Sequence, residues 1–452
     1  MSRPHATLLC ATLLTGHSSL LLASAEGFVE DSRLELINRN YYFNRDLRNG
    51  ASNTQGVNPA RPASERNGYR EEWAHGLMLR YASGYTQGTL GLGVDAHADL
   101  GIKLDSGPGR TGTALLPISH NRQADAKVED NYSQAGAALK VRAGATELKW
   151  GEMRTATPVF TTADSRLLPE MATGLYLRSD ALDAVQLEAG HFTAYHEFAS
   201  SNSDDSLRTR YSDVPVRSLD FLGGSYRLNE ALGLKLFYAR AQDNWLQSYF
   251  NLNYDVPLGM GQGLNLDTHV YRSDATGREL SGPIDNTSWS LAAAYRVGAQ
   301  RFTLAWQQID GDTPFDYVGG LSIDLANSVQ LSDFNAPGMK SQQARYDLDL
   351  AALGIPGLNF MTRYVTGRGA SDSGWTPGAH FAGGPASTYG MYDGARWHEL
   401  DVDVRYVVQQ GWARGMLLRT RFAVYRGNVE AQADLQDINE VRVIVEHPLD
   451  LL

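Results

Sequence analysis

The chain has 452 residues, a formal net charge of −11, 20% charged and 42% hydrophobic residues, and one cysteine, Cys10. That acidic balance disfavours bulk nucleic-acid binding, and after the first 25 residues no apolar run is long enough for a helical membrane span. If Cys10 lies in a removed leader, no thiol remains, which excludes disulfides and thiolate metal sites.

Residues 1–25 read as a secretory leader. Arg3 and His5 give a short basic start, residues 6–23 are mostly apolar, and Ala23-Ser24-Ala25 has the small-x-small pattern of a cleavage site. A lipid-anchored Cys10 fits poorly, because Thr7-Leu8-Leu9 precedes it instead of small residues. Residues 26–452 carry no Pro-rich, Ser-rich or single-charge linker, so one domain is expected there.

The longest regular pattern in that domain is "TLGLGVDAHADLGIKLD", residues 89–105. Its even positions are Leu90, Leu92, Val94, Ala96, Ala98, Leu100, Ile102 and Leu104, and polar residues or glycines lie between them. A period of two puts one set on each face of a β-strand. At about 3.3 Å per residue the strand is roughly 55 Å long, where ordinary strands reach about 20 Å. Similar alternation follows at residues 135–142, 174–179, 185–193, 248–256, 264–272, 286–297 ("NTSWSLAAAYRV"), 301–307, 344–350, 358–366, 398–408 ("HELDVDVRYVV"), 416–425 and 440–446. Short connections at 143–145, 228–231, 297–300 and 409–415 alternate with long ones at 44–71, 106–133, 194–216, 310–341, 367–397 and 426–438.

These intervals allow about eighteen strands, an even number as a closed antiparallel barrel in a bacterial outer membrane requires. A soluble β-sandwich also alternates, but its loops are of similar length at both ends. Here the loop asymmetry, the leader and the aromatics on apolar faces (Trp150, Trp289, Tyr295, Trp306, Tyr406, Phe422) predict an all-β transmembrane barrel with short periplasmic turns and long extracellular loops.

Five stretches carry a family resemblance: "GFVEDSRLELINRNYYFNRDLRN" (27–49), "EEWAHGLMLRYASGYTQGTLGLGVDA" (71–96), "TPVFTTADSRLLPE" (157–170), "LANSVQLSDFNAPG" (325–338) and the ending "VRVIVEHPLDLL". Together they resemble the OprD family of substrate-specific outer-membrane porins. The resemblance implies an eighteen-stranded barrel narrowed by inward-folded loops, with a row of basic residues along which carboxylate-bearing solutes move. It further implies that the segment 153–174, which carries Pro158 and Pro169, folds into the barrel, so that Asp164, Ser165 and Arg166 line a constriction. The stretches "PFDYVGG" (314–320) and "LANSVQLSDF" (325–334) look nearer to the branch carrying amino acids and peptides than to the one carrying aromatic or cyclic carboxylates of the benzoate type. Leu452 departs from the aromatic residue that commonly ends such barrels.

If the apolar face meets lipid, parity assigns the other face to the lumen. That face carries Arg39, Arg80, Lys140, Arg142, Arg296, Arg301, Arg345, Arg363, Arg405, Arg419, Arg421 and Arg442. An arginine offers a planar fork of donors that matches a carboxylate and keeps its charge, so successive arginines can hand an anion along. Arg419 and Arg421 in "LRTRFAVYR" share a face with Tyr425 and resemble the basic pair on the family's penultimate strand. With Arg39, Arg80, Arg142, Arg345, Arg363 and Arg405 they are the expected solute-binding residues. The competing reading pairs these arginines with Asp347, Asp349, Glu399, Asp401, Asp403 and Glu440 as wall stiffeners.

Asp95, His97, Asp99, Lys103 and Asp105 of the long strand also face inward, after a small-residue floor at Gly91 and Gly93. A constriction of mixed sign at Asp95, His97 and Asp99 suits zwitterions better than simple anions. Three polar groups in a wet pore read as wall, so no metal and no cofactor are expected. An outer-membrane barrel hydrolase is the rival of another class, but no nucleophile elbow or other local catalytic signature is present, and the chain is read as a channel and not an enzyme. Outer-membrane lipid and small carboxylate-bearing solutes are the expected partners, nucleic acid is not, and the assembly is a monomer or a weak homotrimer.

Overall fold

The computed structural model describes residues 27–119, 126–371, 393–433 and 435–452. The leader expected over residues 1–25 and most of the connection at 367–397 lie outside them. Eighteen antiparallel strands form one closed sheet. In chain order they are β1 Arg33–Leu47, β2 Tyr69–Ala82, β3 Gly91–Asp105, β4 Asn131–Ala143, β5 Thr146–Met153, β6 Met171–Leu182, β7 Val185–His196, β8 Leu219–Arg227, β9 Leu232–Ala241, β10 Trp245–Gly259, β11 Gln262–Ala275, β12 Asp285–Val297, β13 Gln300–Asp310, β14 Lys340–Asp349, β15 Leu358–Arg368, β16 Arg396–Val407, β17 Leu417–Gly427 and β18 Ile438–Asp450. The first and last strands pair from Glu35–Asp450 to Leu47–Ile438, which removes every edge.

Parity assigns the faces as the alternation predicts. On β3, Leu92, Ala98, Leu100 and Leu104 are exposed on the outer wall, while Gly91, Gly93, His97, Asp99 and Gly101 are buried inside. Trp150, Leu175, Leu222, Leu236 and Leu304 continue the exposed apolar band round the ring. Such side chains are at rest against lipid and costly against water.

The strand begins at Gly91, two residues later than its pattern suggests. Residues 83–90 do not run straight on but fold back under the barrel, with the Thr86 amide donating to the Leu92 carbonyl. A Cβ on Gly93 would stand 2.8 Å from the Gly84 carbonyl oxygen and 2.6 Å from Cε of Lys140, and one on Gly91 would stand 2.9 Å from Cβ of Tyr85. The glycine floor is therefore covered by this turn.

Most turns at the periplasmic end are tight, and Gly144 and Gly298 supply the positive φ (+59° and +56°) that two of them need. The external connections are long except for residues 242–244, which join β9 to β10 directly. Two of the long ones turn inward, residues 154–170 between β5 and β6 and residues 311–339 between β13 and β14. Their Val159, Phe160, Phe315, Val318 and Phe334 are fully buried in one apolar cluster with Phe192, Phe221, Phe237, Tyr249 and Tyr271 of β7–β11. At about 1.5–3 kcal/mol for each large apolar side chain taken from water, this cluster holds both loops against that side of the wall. A third loop enters from residues 106–119. The buried Glu72 carboxylate on β2 accepts from the amides of Gly112, Thr113, Leu115 and Leu116 and, at 2.6 Å, from the Thr113 hydroxyl. Leu115 and Leu116 then pack with Leu167, Leu168 and Tyr132 in a second cluster.

Candidate solute pathway

Two tyrosines of the wall each fasten both central loops. The Tyr271 hydroxyl on β11 donates to the Pro158 carbonyl at 2.8 Å and accepts from the Asp324 amide at 2.9 Å. Its counterpart, Tyr195 on β7, donates to the Glu170 carboxylate and accepts from the Gly320 amide at 3.1 Å. Between them the Thr161 amide donates to the Ser322 hydroxyl at 2.7 Å, joining loop to loop. On the far side the β13–β14 loop reaches β16 and β18. Amides of Leu331 and Ser332 donate to the two Glu399 oxygens at 2.8 and 3.0 Å, and the Gln330 amide group donates to Glu440 at 3.0 Å.

The β5–β6 loop is fixed to β1 by charge. Arg39, 7% exposed, reaches Asp164 at 2.6 Å and Glu446 at 2.6 Å, and donates to the Arg166 carbonyl at 2.9 Å. Burial pushes the Asp164 carboxyl up, but Arg39 with help from Arg154 outweighs it and holds the group at about 2. The Ser165 carbonyl accepts from the Tyr41 hydroxyl at 3.3 Å. Arg166 donates through Nε to the Thr113 carbonyl at 3.0 Å and lies over the rings of Phe43 (5.4 Å) and Phe198 (5.3 Å). Burial, then Arg442 and Arg45, push its guanidinium down to about 9, still charged at neutral pH.

From Arg166 the arginines continue obliquely across neighbouring strands. Arg70 on β2 stands opposite Arg45 on β1, and Arg45 stands opposite Glu440 on β18. Arg442, next on the same face of β18, stands opposite Arg421 on β17. Finally Arg419 stands opposite Arg405 on β16, near the periplasmic end. Phe43, itself fully buried, carries Arg45, Arg166 and Arg442 at 5.5, 5.4 and 4.5 Å from its ring centre.

Two acids serve four of these arginines. Glu440 takes Arg45 at 2.7 Å and Arg442 at 2.6 Å. Asp403 takes Arg419 at 2.5 Å and Arg421 at 3.3 Å. Each shared carboxylate leaves one positive charge over. Arg405 is exposed and has no ion partner among the described residues, while the Arg70 fork is taken by neutral acceptors on Asn53, Thr54 and Gly112.

The other expected site residues lie off this row. Arg80 on β2 makes a two-pronged pair with Asp99, one prong at 2.9 Å. His97, buried, sits 3.5 Å from Asp99 and 3.3 Å from Glu152, which also takes His196 at 2.8 Å. Asp95 is shared by Lys140 (2.6 Å) and Lys149 (2.7 Å). Arg142 is exposed with its guanidinium 4.1 Å from the centre of the Tyr85 ring, under the barrel. Arg345 pairs with Asp347, and Arg363 with Asp401, each at 2.6 Å. Tyr425 is 2% exposed inside the apolar cluster. Parity alone does not single out Arg45, Arg70 or the two tyrosines. The strand register brings the arginines into line, and the loops give the tyrosines their partners.

A family model described as outer membrane porin, OprD family, matches residues 26–451. Porin D of Pseudomonas aeruginosa is 44% identical over 95% of the chain and 93% of its own length. Porin-like protein GalP of Pseudomonas putida is 32% identical over 98% of both. The crystal structure of Pseudomonas aeruginosa OprD superposes with a TM-score of 0.79 at 42% identity, covering 95% of this chain and 98% of that one.

Proposed function

The chain belongs to the OprD family of outer-membrane porins, and from that premise we propose that it passes small carboxylate-bearing solutes, amino acids or short peptides, along the arginine row from Arg70 to Arg405. As a porin of the Gram-negative outer membrane it provides a passive route, and the question left to its residues is which solutes use it. The single observation that carries the reading is the sharing of one acid between two arginines at Asp403 and again at Glu440. A row of sites with one residual charge each attracts an anion without trapping it, which is what conduction requires.

Acids on the opposite wall support a solute bearing an ammonium group as well. Asp267 on β11 and Asp324 on the β13–β14 loop stand about half-way round the ring from β1, linked through His269 and Tyr249. A zwitterion can address both walls at once, whereas a benzoate-type acid addresses only one. A single barrel encloses the whole row, so the proposal needs no second copy.

Uptake into vesicles reconstituted with the porin tests it. Arg419→Ala with Arg421→Ala is expected to lower uptake of amino acids several-fold more than uptake of an uncharged sugar of similar size. Equal loss for both solutes would remove the arginines from the pathway, and benzoate outcompeting every amino acid would move the proposal to the cyclic carboxylates.

A further inference from the structure

We propose that Asp403 is a resident counter-ion which an arriving carboxylate must displace from Arg419 and Arg421, so that this one acid sets how long a solute stays. The inference rests on the transport reading above and deepens it.

Three observations place Asp403 in that role. First, its stoichiometry differs from that of other lumenal pairs. Arg363–Asp401, Arg345–Asp347 and Arg80–Asp99 each match one arginine with one acid, whereas Asp403 serves two arginines, Arg419 and Arg421. Second, the acid stands behind the bases. Its side chain is 9% exposed, against 35% for Arg419 and 18% for Arg421, so the guanidinium groups meet the solute and the carboxylate meets the wall. Third, a next site is waiting. Arg405 lies opposite Arg419 in the strand register, is exposed, and has no ion partner among the described residues.

Glu440 is shared in the same way but is built differently. It is fully buried, Arg442 is only 3% exposed, and Gln330 of the β13–β14 loop also holds it. That acid fixes the loop and its arginines, and an exchange there would require the loop to leave.

The chemistry at Asp403 is a competition. A guanidinium offers five donors; Asp403 accepts hydrogen bonds from Nε and Nη2 of Arg419 and is 3.3 Å from Nε of Arg421, an ion pair without a hydrogen bond. The other donors of the pair remain for a solute, which then shares its cations with the resident acid. Without that acid, two uncompensated forks would hold a carboxylate tightly and release would limit flow.

Glutamate uptake by reconstituted vesicles, read as half-saturation and maximal rate separately, tests the assignment. Asp403→Asn is expected to lower both about tenfold, a factor that corresponds to about 1.4 kcal/mol of competition removed. Asp403→Glu should return both toward the parent values. Asp403→Asn combined with Arg421→Gln keeps the net charge of the site, and here half-saturation stays several-fold below the parent if exchange is the mechanism. A return to the parent value in this double variant, showing that charge alone matters, would overturn the proposal. An unchanged or higher half-saturation in Asp403→Asn would do the same. Should the single variant not assemble, as judged by heat-modifiable migration, the double variant carries the test. Arg419→Ala separates the two levels of failure. If it leaves half-saturation unmoved, the transport reading itself falls, whereas a weakened Arg419→Ala beside an unmoved Asp403→Asn defeats only the counter-ion.

Discussion

Replacing Tyr271 by phenylalanine deletes one oxygen and frees two loops. The ring stays packed, 4.6 Å from Tyr249 and 4.7 Å from Phe315 between ring centres, so the apolar cluster keeps its shape. What is lost is the bond to the Pro158 carbonyl and the bond from the Asp324 amide, both at a residue with no exposed surface. Two net hydrogen bonds of about 1 kcal/mol each, with the Pro158 carbonyl left buried and unpaired, cost about 2–4 kcal/mol. That cost falls on the docked state of the loops and not on the barrel, whose ladder bonds do not involve the hydroxyl. A loss of about 3 kcal/mol changes the ratio of docked to undocked loops by roughly 150-fold. Single-channel recording in planar bilayers should then show frequent excursions to a wider level that the parent lacks. Tyr195→Phe should act in the same direction, and the two together more strongly than either. A variant as quiet as the parent, with equally slow amide exchange at residues 159–161 and 321–324, would refute the two-tyrosine fastening.

Arg39→Met leaves Asp164 and Glu446 without their common cation, and removing one partner of a buried pair costs about 3–5 kcal/mol. The β5–β6 loop should come loose, seen as raised conductance and faster proteolysis within residues 154–170. Because the Asp164 carboxyl is held at about 2 in the folded loop, below its ordinary value of 3.8, the clamp is complete above about pH 4. It is lost only as pH falls through about 2, so the conductance difference between Arg39→Met and parent should be constant from pH 8 to pH 5. Gly93→Val places methyl groups where Gly84 and Lys140 already stand. It is expected to expel the turn at 83–90 at a cost of about 1–3 kcal/mol, measured as a lower unfolding midpoint and increased labelling of a cysteine placed at position 85.

The fold was largely legible because lipid and water demand opposite residues on successive positions. β3, β12 and β16 show the alternation without interruption. β8 and β9 do not, and the physical reason is that Phe221 and Phe237 face an apolar cluster inside while Leu222 and Leu236 face lipid outside. A strand with oil on both sides has no period. The inward β13–β14 loop left a trace of the same kind, since Phe315, Val318, Leu325 and Phe334 are costly residues for an open external loop.

For the pathway, parity identified the lumenal arginines but not their company. Arg45 meets Glu440 across the seam where the two ends of the chain close the ring, 395 positions apart. No local pattern encodes that stagger. The Arg39–Asp164 contact similarly depends on where a loop lands.

The two sides of the lumen carry different duties. The wall from β7 to β11 holds the loops through aromatic rings and two hydroxyls, while the wall from β16 round to β2 holds nearly all of the arginine row. Selection can therefore rewrite the charges on one side without disturbing the masonry on the other. Such a tube is easily retuned: a few exchanges at Arg405, Arg419 and Arg421, which hold no loop, would give a new clientele, while the loop clamps at Arg39, Glu399 and Glu440 are kept.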